Sequence, residues 1–92
     1  MVTETEKQVI IKEAEIVNKE CMLILWNDDV NTFDFVIEAL VKVCNHTSEQ
    51  AEQCAFLVHY KGKCAIKNGS FYKLVPLKDA LQELGLTVEI AK

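Results

Sequence analysis

The chain has no arginine: all ten of its basic residues are lysines, set against fourteen acids for a net charge of −4. Nucleic-acid binding ordinarily uses a basic face with arginine forks, and this composition offers neither. Glycine is scarce, with three in 92 residues, and none sits in a phosphate-cradling loop. The four cysteines, Cys21, Cys44, Cys54 and Cys64, form no CxxC pair. They read as reduced structural thiols that behave as small hydrophobes. No apolar run approaches the roughly 18 residues that cross a bilayer. The opening MVTETEKQ has no secretory pattern. The expectation is a cytoplasmic monomer with no membrane or nucleic-acid partner.

Half of the residues are hydrophobic, enough for one small domain. Residues 1–20 stand apart, with five Glu and three Lys around the patch Val9-Ile10-Ile11. They read as a flexible N-terminal extension, with Ile16-Val17 docking where the chain enters a domain spanning 21–92.

Within that domain, Cys21-Met-Leu-Ile-Leu-Trp26 is an apolar run stopped by Asn27-Asp28-Asp29, the signature of a buried strand. Phe33, Val36, Ile37, Leu40 and Cys44 recur at helical spacing after Asn31 or Thr32 as the cap. Thr47 and Gln50 form a capping box for a second helix with the stripe Ala51, Cys54, Ala55 and Val58, closed by Gly62. Cys64–Ile66 reads as a short strand, Asn68-Gly69 as a turn, and Ser70 as a cap. Pro76 is expected to divide the next segment into a turn at 70–75 and a helix to Leu84, with Leu77, Leu81 and Leu84 inward. Leu86–Ile90 alternates as a final strand. The order β-α-α-β-α-β predicts an α+β two-layer sandwich, a three-stranded antiparallel sheet with three helices on one face.

Three polar or exposed features need a role: the Asn27-Asp28-Asp29 loop, His59 at a helix end, and Trp26 and Phe33 beside the loop. Each has a plain structural reading, respectively a solvated helix-capping turn, a surface histidine, and core packing. Metal chemistries fail on spacing. Asp29-x-Asn31 begins like a calcium loop, but Phe33 stands at the fifth position and no glycine follows. Cys44, His46, Cys54 and His59 fit no zinc signature. A Cys-His nucleophile pair stays open on sequence, as in a small enzyme using Cys54 or His59, but nothing marks any one cysteine as activated, and no second constellation accompanies the vicinal Asp residues.

Taken together, LILWNDDVNTFDFVIEAL and the later LVHYKGK resemble the ClpS family, adaptors that hand N-degron substrates to the AAA+ unfoldase of the Clp protease. The resemblance covers about residues 21–92 and implies a protein with no catalytic residue, metal or cofactor. It implies that Asn27, Asp28, Asp29 and His59 bind the free α-amino group of a substrate beginning with Leu, Phe, Tyr or Trp. An ammonium leaving water needs acceptors and negative charge, and a neutral imidazole accepts through one nitrogen. It further implies a hydrophobic pocket walled by Asn31, Phe33, Val36, Ala55 and Val58, with Leu84 or Leu86 as an additional wall. The implied partners are N-degron proteins and the N-terminal domain of a ClpA- or ClpC-type unfoldase, which residues 1–20 would engage during delivery.

Two positions depart from the family pattern. Asn31-Thr32-Phe33 replaces the usual Thr-Pro-Met, putting a stiff aromatic where a flexible methionine commonly gates the pocket. Ala55 stands where larger residues are common, which deepens that side and favours admission of β-branched first residues. These departures motivate the alternative of a ClpS-like domain that docks on the unfoldase with altered or lost N-degron specificity. A ribosome-stalk-like interaction domain shares the two-layer build but does not require Asn27, both Asp residues and His59 to converge.

Overall fold

The structure, a computed structural model, describes residues 19–92. The expected extension lies outside the described residues except for Lys19 and Glu20, as does the docking of Ile16-Val17.

Strand β1 (Glu20–Trp26) is followed by helices α1 (Phe33–Cys44) and α2 (Ser48–Lys61), strand β2 (Lys63–Ser70), helix α3 (Phe71–Glu83) and strand β3 (Thr87–Ala91). The three strands form one antiparallel sheet in the order β2-β1-β3. Period-two alternation in β1 puts Cys21, Leu23 and Leu25 inward, each at most 2% exposed. Met22 and Trp26 stand on the opposite face, where they remain exposed. On the inner side the helices contribute Val36, Ala39, Leu40, Ala51, Val58, Leu74 and Leu81 to one core. The two-layer α+β architecture is thus as the element order predicts.

On the open face Trp26 ties the sheet together sideways. Its indole N–H donates to a Glu89 carboxylate oxygen on β3 at 3.0 Å, and the Lys63 ammonium of β2 lies 5.0 Å from the ring centroid.

Helix boundaries follow their local signals. Thr32, not Asn31, caps α1, its hydroxyl accepting from the Phe35 N–H at 3.1 Å. Thr47 and Gln50 form both bonds of the capping box on α2. Gly62 closes α2 at φ +91°, a conformation in which a Cβ is strained.

Four expectations are corrected. Asn68-Gly69 is strand, not turn: β2 continues to Ser70, pairing Asn68 with Met22 and Gly69 with Cys21. The ladder of β1 satisfies those backbone groups, and α3 starts at once after it, so no reversal is needed. A bulge between Leu23 and Ile24 of the register lets the longer β2 match β1. Pro76 does not divide α3, which runs unbroken through it. Pro76, the sixth residue of α3, removes one intrahelical donor, and Leu74 and Leu81 on either side of it are buried in the core. Ser70 sits at the cap position, but its hydroxyl makes no capping bond. Leu84 is exposed, and the buried residues of α3 are Leu74 and Leu81.

Candidate functional site

The end of β1 and the end of α2 meet beside the start of α1. The Asn27 N–H donates to the Gly62 carbonyl at 2.8 Å, so the loop leaving β1 is fastened to the residue that terminates α2. The left-handed turn at Gly62 brings that carbonyl round, and Asn27 and His59 then border the same cleft.

This cleft has a volume of about 210 Å³ and is lined by Asn27, Asn31, Phe33, Val36, Ala55, Val58 and His59. Its floor is buried, with Val36, Ala55 and Val58 at 9%, 3% and 4% exposure, while Phe33 stands at the mouth at 40%. Its polar groups are two amides and an imidazole. Larger depressions lie on the outer face of α2, at about 550 Å³, and between the α1–α2 turn and β2, at about 370 Å³. Volume does not choose among them. Of these three, the small cleft is the one that sets several buried apolar residues on its floor beside convergent polar groups, the usual composition of a binding site.

Asp28 and Asp29 do not line the cleft. Asp29 is exposed. Asp28 turns back into its own loop, where Oδ1 accepts from the N–H groups of Val30 and Asn31 at 3.1 and 2.9 Å. Both carboxylate oxygens accept from Asn31 Nδ2, at 3.0 and 2.9 Å, and the same nitrogen reaches the Gly85 carbonyl at 3.0 Å. All of these partners of Nδ2 are acceptors, which fixes the orientation of the amide. Its oxygen makes none of these bonds and belongs to a residue of the cleft wall. Desolvation alone would raise the Asp28 pKa; the bonds from Asn31 and Val30 outweigh it and hold the carboxyl below its ordinary 3.8.

Sequence reading missed the carbonyls of Gly62 and Gly85, which position Asn27 and Asn31. Backbone acceptors leave no residue-type signal. Neither Leu84 nor Leu86 lines the cleft; Leu86 is in the core. Among the described residues no group of three or more His, Cys, Asp or Glu side chains could hold a metal ion, and no helix is long and apolar enough to cross a membrane.

The sequence is 35% identical over 63 residues to the ATP-dependent Clp protease adapter protein ClpS of Treponema denticola, a match covering 68% of this chain and 62% of that protein. It is 39% identical over 62 residues to ClpS of Acetivibrio thermocellus, covering 64% of this chain and 63% of the relative. The chain therefore spans less than two thirds of the length of these relatives. Among solved structures, Agrobacterium tumefaciens ClpS2 bound to L-phenylalaninamide superposes with a TM-score of 0.67 at 20% identity, covering 78% of this chain and 94% of that one. This last likeness establishes a shared fold. The family model of the ATP-dependent Clp protease adaptor protein ClpS matches residues 17–89, a stretch that holds every wall of the cleft, and the chain belongs to the ClpS family.

Proposed function

We propose that the cleft receives the free N-terminus of a polypeptide whose first residue is bulky and hydrophobic, Leu, Phe, Tyr or Trp. The observation that carries this reading is the meeting of amide and imidazole acceptors with a buried apolar floor in one cleft of about 210 Å³. That volume is below the roughly 300–1,000 Å³ typical of pockets for drug-sized ligands and suits one side chain with its backbone terminus. Burial of the first side chain against Val36, Ala55 and Val58 contributes about 1.5–3 kcal/mol. Each hydrogen bond from an ammonium contributes about as much, and acceptors on Asn27, Asn31 and His59 surround the mouth. The related ClpS2 holds L-phenylalaninamide, a free amine carrying an aromatic side chain, which is the same pair of features.

The protein acts without making or breaking a bond: Asp28 orients Asn31, Gly62 fixes Asn27, and the cleft selects. The substrate is then delivered to the AAA+ unfoldase of the Clp protease, on the N-terminal domain of a ClpA- or ClpC-type partner, with residues 1–20 engaging that partner.

The test is fluorescence anisotropy with labelled peptides differing only at the first residue, each with a free and an acetylated N-terminus. Saturable binding of Leu- and Phe-first peptides, abolished by acetylation and weakened in a folded His59→Ala variant, is expected. Absence of binding by a folded protein would sink the reading. If such a protein still bound the unfoldase, the docking domain with lost N-degron specificity would replace it, a reading favoured by the stiff Phe33 at the mouth.

A further inference from the structure

We propose that the outer face of α2 is a second subsite, one that reads the substrate residues following the first and favours segments bearing lysine or arginine. The inference rests on the N-terminus reading above and extends it.

The solvent side of a surface helix is ordinarily polar. On α2 that side, beside the exposed Glu49, Glu52 and Gln53, also presents three large apolar or aromatic side chains: Phe56, Leu57 and Tyr60 are 53%, 39% and 69% exposed. The rings of Phe56 and Tyr60, one turn apart, lie 4.3 Å centroid to centroid. Phe56 and Leu57 join Glu49, Glu52 and Gln53 in lining the depression of about 550 Å³. Core packing does not account for these rings, because the buried side of the same helix is Ala51, Ala55 and Val58.

Position ties this face to the cleft. At 3.6 residues per turn, Glu52, Phe56 and His59 form one row along the helix, and Ala55 lies beside it. Ala55 and His59 line the cleft, whereas Glu52 and Phe56 line the outer depression. A chain whose amine is held near His59 and whose first side chain is buried against Ala55 therefore leaves the cleft with Phe56 next in its path.

Charge selects the occupant. Glu49 and Glu52 are exposed, and α2 carries no lysine before Lys61. The helix dipole favours acids in the first turns but gives no reason for aromatic rings in water beside them. Carboxylates flanking exposed aromatic faces suit an ammonium or guanidinium on a flexible chain, by ion pairing at one end and cation–π contact at the other.

The experiment compares wild type with E49K/E52K and F56A, each checked for folding by circular dichroism. The ligands are L-phenylalaninamide and Leu-first peptides carrying Lys-Lys, Gly-Ser or Glu-Glu next. Wild type is expected to favour the Lys-Lys peptide over Glu-Glu about three- to tenfold at low ionic strength, the margin shrinking as salt is added. E49K/E52K should reverse that order, F56A should weaken the peptides, and all three proteins should bind the amide alike. The same tail ranking in wild type and E49K/E52K, with the amide bound, overturns this inference alone. Failure of the amide to bind wild type overturns the N-terminus reading and this inference with it.

Discussion

Asn31 and Asp28 act as one unit: the amide nitrogen of Asn31 sits between both carboxylate oxygens of Asp28 at 3.0 and 2.9 Å. Its oxygen makes none of these bonds, so under the proposed function the carboxylate would act on a ligand through its neighbour. Asn31→Ala and Asp28→Ala should each weaken a free-amine peptide about tenfold, and the double variant should be little worse than either single one. Groups that share one network are not additive. Additive losses, measured by anisotropy, would show that the two act separately.

The same contact predicts acid sensitivity. A carboxyl held below its ordinary 3.8 contributes stability that is present above the unfolded-state value and is lost as pH falls through the native one. The stability difference between wild type and Asp28→Asn should be constant above about pH 5 and shrink below about pH 4. Thermal melts across that range measure it; a difference that persists at the acid end would contradict the assigned bonds.

Ala55 sets the size of the cleft from the α2 side. It is 3% exposed and lines the floor. Ala55→Met should fill that space, cutting affinity for Phe- and Trp-first peptides tenfold or more while sparing smaller first residues. Phe33→Met, at the mouth, should broaden the accepted set instead. Ranking peptides that begin with Val, Ile, Leu, Phe and Trp against each variant separates the two effects.

The Cys44 and Cys64 thiols should be inert at neutral pH. Burial pushes Cys64 up to about 12, with the Cys54 thiol beside it adding to the shift, and pushes Cys44 up to about 11. A raised native pKa means the stability it contributes is whole below the unfolded value, near 9.0, and declines as pH climbs toward the native one. Wild type should lose stability above about pH 9, and Cys64→Ala should lose less of it. Disulfide reagents should label Cys44 and Cys64 slowly at pH 8 unless denaturant is present. Rapid labelling would contradict the burial.

Pro76→Ala should stabilise the fold by about 1–3 kcal/mol, because alanine restores the missing donor inside an otherwise continuous helix. Chemical denaturation measures this.

The fold was legible because its signals are local and periodic: the alternation of Cys21, Leu23 and Leu25, the Thr47–Gln50 box, and Gly62 as a stop. Asn68-Gly69 and Pro76 misled because tertiary packing outweighed local preference, the first through pairing with β1 and the second through Leu74 and Leu81. For the site, residue identity and the family likeness named Asn27, Asn31, Phe33, Val36, Ala55, Val58 and His59, and the structure gathers these around one cleft. The inward turn of Asp28 was not legible. An acidic side chain facing its own loop reads the same in sequence as one facing a ligand.

The lateral bridge from Lys63 through Trp26 to Glu89 has an optical consequence. Trp26 is the single indole in the chain and immediately precedes Asn27, where the loop bordering the cleft begins. Its emission therefore comes from one known address, at the junction of all three strands with the loop that borders the cleft. Under the proposed function, a shift of this emission on adding an unlabelled Leu-first peptide is the expected sign that the loop beginning at Asn27 has responded.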